Sequence, residues 1–275
     1  MKAGKLFLVL ATVVTFAVAC KKEEDQNKLK RSAVDFAIGE NLFNDVFSQS
    51  SNTVIKAQDS ASGKKSMHDV LASCATITIT PFDLTTFPKT IVVDFGTTNC
   101  LCDDGRYRRG KLNIVTTGWF RDSGTVITIT PQDYYVNNNK VEGQKTITNK
   151  GRNTAGHLNY DIVVDGTIST SEGTTSWHCV RNHEWIEGDS TIFNPWDDVF
   201  LIRGEAGGTN IHGEDYQVVV INPLRVARSC RWVTAGVLRI TSGGHVLDIN
   251  YGDGNCDGTV VITLDQTNTS TYVVP

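Results

Sequence analysis

The densest run of reactive side chains is Trp177-His178-Cys179-Val180-Arg181-Asn182-His183-Glu184-Trp185. Imidazole and thiolate are the ligands zinc favours, provided that they converge on one point. The run lies in a stretch that reads as a β-strand, where successive side chains alternate between faces. His178 and His183 are five apart and diverge; Cys179 and His183 share a face, but two ligands do not make a site. A second candidate, Asp253-Gly254-Asn255-Cys256-Asp257-Gly258, has the D-x-N-x-D-G spacing of a calcium loop. Its twelfth position is Leu264, where a bidentate Glu is needed. Asp253, Asn255 and Asp257 are therefore a weak calcium candidate beside a stronger reading as turn residues. Neither cluster completes a coordination shell, so no metal and no cofactor is expected.

Signals for catalysis are equally thin. No G-x-S-x-G nucleophile elbow occurs. Asp103-Asp104 and Asp197-Asp198 are adjacent acids in expected loops, which reads as solvated charge. No glycine-rich loop precedes a helix to cradle phosphate. Five tryptophans, Trp119, Trp177, Trp185, Trp196 and Trp232, are expected mostly in a core. No catalytic residue is assigned.

Cys20 carries a sharper signal. Lys2 and Lys5 precede an apolar run from Leu6 to Val18, and small residues, Ala17 and Ala19, stand before the cysteine. Charge, apolar run and small residues make a signal-peptide pattern. The run is shorter than the roughly 20 residues of a membrane-spanning helix. The cysteine at the cut point resembles a bacterial lipobox, so Cys20 is expected to be the lipidated first residue after a signal peptide at 1–19. Two or more acyl chains anchor a protein stably where one does not. Lys21-Lys22-Glu23-Glu24-Asp25 resembles the export signal of Bacteroidota surface lipoproteins. The expected location is the outer membrane, lipid-anchored, at the cell surface.

The six remaining cysteines, Cys74, Cys100, Cys102, Cys179, Cys230 and Cys256, are an even set in an exported chain and read as disulfides. Cys74 and Cys100 are 26 apart, as are Cys230 and Cys256. Aligned without gaps, Asp94-Phe95-Gly96-Thr97-Thr98-Asn99-Cys100 matches Asn250-Tyr251-Gly252-Asp253-Gly254-Asn255-Cys256. Gly243 lies midway between Cys230 and Cys256, at an expected hairpin tip. Two related hairpins, 74–100 and 230–256, are expected, each closed by its disulfide, with Cys102 and Cys179 left as a third candidate pair.

These features need elements to hold them. Removing Lys2 and Lys5 from 26 basic residues leaves 24 against 30 acidic ones, a net charge of −6. That balance argues against nucleic acid and against an anionic-lipid patch. Residues 20–31 read as a lipidated tether. Ser32-Ala33-Val34-Asp35 resembles a capping box, and Phe36, Leu42, Phe43, Val46 and Phe47 then follow on one helical face. The spacing predicts an amphipathic helix over 32–48, packed on the rest of the protein because its charges are acidic, with loop to residue 69. Asp59-Ser60-Ala61, in that loop, resembles the Bacteroidota O-glycosylation tripeptide and makes Ser60 a glycosylation candidate; Asp189-Ser190-Thr191 is a weaker one.

From 70 to 275 the period changes to two. About 14 runs of Val, Ile, Thr and aromatics alternate with turns such as Asn137-Asn138-Asn139, Ser171-Glu172-Gly173 and Ser242-Gly243-Gly244. The expected fold is all-β: a large antiparallel meander, as a sandwich or a curled sheet, with one N-terminal helix. Asp94-Phe95-Gly96, Tyr107 to Thr117, Phe120 to Thr128, Asp133 to Gly143, Glu184 to Gly188 and Pro223 to Ala227 resemble a family of Bacteroidota outer-membrane and surface lipoproteins of unknown function. That resemblance implies location and an all-β body and transfers no active site.

The expected function is a non-catalytic binding or structural module, partnered with the membrane through its lipid and with a glycan or protein ligand. The alternatives are a surface glycan-degrading hydrolase using dispersed carboxylates, or a periplasm-facing envelope assembly factor.

Overall fold

The computed structural model describes residues 4–61, 74–191, 195–230 and 232–273, with side chains of the first segment described from Asn27 to Gln58. One helix, α1 (Gly4–Ala61), precedes fourteen strands: β1 (Thr76–Thr80), β2 (Lys89–Asp94), β3 (Cys100–Leu101), β4 (Tyr107–Thr116), β5 (Val126–Val136), β6 (Asn139–Arg152), β7 (Leu158–Ser169), β8 (Thr174–Glu187), β9 (Val199–Thr209), β10 (Asp215–Ala227), β11 (Val233–Ser242), β12 (His245–Asp253), β13 (Thr259–Leu264) and β14 (Asn268–Val273). All belong to one antiparallel sheet in which each strand pairs with its sequence neighbour, except that β2 pairs β4 and the short β3 continues β2's place along β4. The sheet is not closed into a barrel. It curls: α1 packs against strands from β2 on one side to β12 on the other. Of the two architectures the pattern allowed, this is the curled sheet.

The strand residues explain the curl. Val, Ile, Thr and aromatics suit a pleated, half-buried surface, and alternation sends one set inward. On β8 the inward set is Thr175, Trp177, Cys179, Arg181, His183 and Trp185; on β7 it includes Leu158, Tyr160, Ile162, Val164 and Ile168. The expected tips at Asn137, Glu172 and Gly243 are hairpin turns.

The helix is longer than its apolar stripe suggests. Residues 20–31, expected to be a tether, are helical, and Leu29 among them is buried. Ser32 and Asp35 do not cap an end. The Ser32 hydroxyl meets Ser242 Oγ at 2.8 Å and accepts from Asn210 Nδ2 at 3.1 Å, while Asp35 accepts from the Ile211 N–H at 3.0 Å. Residues 49–61, expected to be loop, continue the helix and bury Ser50, Ser51, Thr53, Val54 and Ala57. Phe36, Leu42, Phe43 and Val46 are buried on the sheet as the stripe predicts. Gly39 allows the closest approach: a Cβ there would sit 2.6 Å from the Trp177 indole, which also stacks on Phe43 at 4.9 Å.

Buried charge also fastens helix to sheet. Asp45 of α1 accepts hydrogen bonds from Arg108 of β4, from Arg106 Nη1 at 3.1 Å and from the Tyr134 hydroxyl at 2.7 Å. Arg108 also holds Asp104. Burial opposes the charge on Arg108, but Asp104 and Asp45 outweigh it and keep its pKa above the ordinary value.

Among the described residues, Cys74–Cys100 and Cys230–Cys256 are the two disulfides. The related ends behave alike: the Gly96 N–H donates to Asp94 Oδ1, and the Gly252 N–H donates to Asn250 Oδ1, both at 2.9 Å and both glycines with positive φ. Removing Cys230 and Cys256 together, as serines, should cost about 3–4 kcal/mol on the loop-closure account. Urea denaturation beside the wild type reads the loss, and coincident midpoints would contradict it.

The third disulfide expected, Cys102 with Cys179, does not form. Both thiols are free and buried. Cys102 lies beside the start of β4 and Cys179 on β8, with three strands between them, each about 4.8 Å wide.

Candidate functional site

Between α1 and the concave face of the sheet lies a cavity of about 610 Å³. Close-packed interiors hold few voids larger than a water, whereas small-molecule sites span roughly 300–1,000 Å³. The helix supplies Phe36, Glu40, Asn44 and Phe47 to its wall. The sheet supplies Arg181 and His183 from β8, Phe200 and Ile202 from β9, Leu224 and Val226 from β10, Leu238 from β11 and Tyr251 from β12. Trp196, 69% exposed, marks the mouth, and Cys230 places one disulfide at the wall. The lining is mostly apolar because these are the inward positions of consecutive strands.

The polar end is built around Arg181, which is 4% exposed. Its Nη2 donates to Glu40 Oε2 at 3.1 Å, and its buried Nε–H has no partner among the described residues. Lys145 of β6 is buried nearby; its Nζ donates to the Phe43 carbonyl at 3.0 Å and sits 4.8 Å above the Phe47 ring. Burial pulls the Lys145 pKa down to about 8, Cys179 and Glu40 partly offset this, and Arg181 adds to it. His183, edge-on to Phe47, is held neutral: burial, then Lys145 and Arg181, lower its pKa to about 3.

The residues singled out in the sequence lie elsewhere for the most part. Cys20 lies within α1, outside the described side chains. Asp59-Ser60-Ala61 forms the last turn of α1 rather than a loop. His178 and His183 do diverge, His178 to the exposed face, and Cys179 is an inward thiol whose pKa burial raises to about 11. In the calcium-like loop, Asp253 Oδ1 accepts from Asn255 Nδ2 at 3.0 Å and Asp257 Oδ1 accepts from the Thr259 N–H at 2.8 Å, all in an exposed turn. Among the described residues, no three of His, Cys, Asp and Glu are placed to hold a metal ion. The adjacent acids are not both solvated. Asp198 is buried, and desolvation, offset by Arg228, raises its pKa to about 6; Asp104 is bonded to Arg108. Trp119, Trp177 and Trp185 are core residues.

The cavity escaped the sequence because its wall is drawn from six elements. One signal was available: Lys145 and Arg181 occupy inward positions on central strands, where charge is rare unless paired. Compared with protein-family models, curated proteins and solved structures, the chain finds no significant match in any of the three. Among the described residues, no helix is long and apolar enough to cross a membrane.

Proposed function

We propose that the protein is a lipid-anchored envelope protein, held through Cys20, that binds a small apolar or amphipathic molecule between α1 and the curled sheet. The observation that carries the binding role is the cavity itself: about 610 Å³ of space with an apolar wall in an otherwise packed core. The anchor and the outer-membrane surface location rest on the sequence, on Ala19-Cys20 after the apolar run and on the charged residues 21–25. The resemblance to Bacteroidota lipoproteins is consistent with that address. A glycan hydrolase would need two facing carboxylates about 5–10 Å apart. The cavity wall has Glu40 alone, and Arg181 holds it.

The neutral dye Nile red, whose emission rises in apolar surroundings, tests the cavity. The wild type should bind it saturably at one site. Ile202→Trp, which puts an indole into the void, should abolish that binding while leaving the melting temperature unchanged or higher. Equal binding by wild type and variant would place the dye elsewhere and remove the basis of the proposal. The anchor has its own measurement: mass spectrometry of the N-terminus from native membranes should find acylated Cys20, and Cys20→Ala should release a soluble form or leave the signal uncleaved. An unmodified N-terminal residue on the wild type ends that half of the reading.

A further inference from the structure

The polar end of the cavity has a charge imbalance with chemical meaning. Lys145 and Arg181 are 3% and 4% exposed, and the carboxylate that faces them is Glu40. A guanidinium has five N–H donors. Here one is bonded to Glu40, and the Nε–H is buried without a partner among the described residues. Leaving such donors unmade, with a cation unmatched in a low dielectric, is costly. Arg121 Nε, likewise buried without a partner among the described residues, lies outside the cavity wall, whereas Arg181 lies on it, where an occupant can supply the acceptor. The other end of the same cavity is hydrocarbon, with Phe200, Ile202, Leu224 and Leu238 on its wall.

From this juxtaposition we infer that the ligand is an anionic amphiphile whose aliphatic chain lies along Phe200, Ile202, Leu224 and Leu238 and whose single negative head meets Arg181. This rests on the cavity being a binding site and adds the chemistry of its occupant. Entry of the head group sets two anions, itself and Glu40, against Lys145 and Arg181 and supplies acceptors for the guanidinium; Arg228 on the same wall already has Asp198 at 3.6 Å. Lys145 stays on the Phe43 carbonyl and contributes its field rather than a contact. The low pKa of His183, caused by burial and then by the two cations, reports the same positive field at that end of the cavity. His183 therefore remains neutral at physiological pH and leaves the head group to Arg181.

Two sources share this chemistry, a free fatty acid and a phosphate-headed lipid fragment. Titration calorimetry with dodecanoate, the singly charged diester dodecyl methyl phosphate, and dodecanol separates them. At least one of the two anions should bind the wild type tenfold or more tightly than dodecanol, and the tighter of the two names the head group. Arg181→Gln should remove that preference, since a hydrogen bond to a charged group contributes about tenfold or more, and leave dodecanol binding within about twofold. Glu40→Gln frees the guanidinium without touching the cation, so it should tighten anion binding severalfold; this variant decides the matter if Arg181→Gln does not fold. Three ligands of equal affinity, or a Glu40→Gln protein that binds anions no better than wild type, would overturn the assignment while sparing the binding pocket. Binding of none of the three would overturn the pocket with it.

Discussion

Asp45→Ala should be among the most destabilising single substitutions in the protein, by about 3 kcal/mol. Removing one partner of a buried ion pair costs roughly 3–5 kcal/mol because the other charge is left uncompensated. Arg108 is 1% exposed and keeps only Asp104 once Asp45 is gone, and the buried Tyr134 hydroxyl loses its acceptor as well. Asp104→Ala is the natural control. That carboxylate is 46% exposed, so its loss should cost no more than about 1 kcal/mol, as exposed pairs do. Chemical denaturation of the two variants beside the wild type checks the difference. Equal losses would mean that the helix is not fastened to the sheet through Asp45.

His183→Leu should alter the response to acid. The folded protein holds this imidazole at a pKa of about 3, against an ordinary 6.5. The unfolded chain therefore binds the extra proton between those values. His183 contributes stability that is fully present above pH 6.5 and is lost as the pH falls towards 3. By pH 4 the loss reaches about 3 kcal/mol, taking about 1.36 kcal/mol per pKa unit. Asp198 works in the opposite sense. Its carboxyl is raised from 3.8 to about 6 by burial, so the folded state binds the proton more readily between those values and gains stability as the pH falls. Comparing wild type with His183→Leu cancels the Asp198 contribution. Melts at pH 7 and pH 4 should show a smaller acid-induced drop in the variant, and the same drop in both would exclude His183 as the source.

Most strands were legible because each carries its own signal, a period of two between turn residues, and because the meander lets sequence order stand for spatial order. A kink or bulge inside a strand is not marked by the period of two: β5 (Val126–Val136) runs on through Asp133 at positive φ. The helix was read too short for a physical reason. Its last turns bury Ser50, Ser51 and Thr53 against the sheet, and hydroxyl residues in a row read as loop. Residues 20–31 are nearly all charged or polar, and Leu29, the one large apolar side chain among them, is buried. The two disulfides were legible from equal spacing about related hairpins. The free thiols were not, since pairing Cys102 with Cys179 rested on parity alone, which carries no geometry. The cavity was hidden for a different reason: a void is a property of many residues at once, and no local period records it.

The order of the strands bears on how the molecule is made. Each strand finds its partner in the segment just synthesised or just ahead, so no pairing waits for the far end of the chain, and each step closes a short loop at small entropic cost. The helix comes first in the chain and spans the hollow that the sheet will line. The strands from β2 to β12 therefore have an apolar surface to condense upon as they emerge, and assembly can run in one direction from the amino end. In pulse-labelled refolding, the amides of β4 to β8 should then gain protection before those of β13 and β14; simultaneous protection throughout would show that the sheet closes on its helix in a single step.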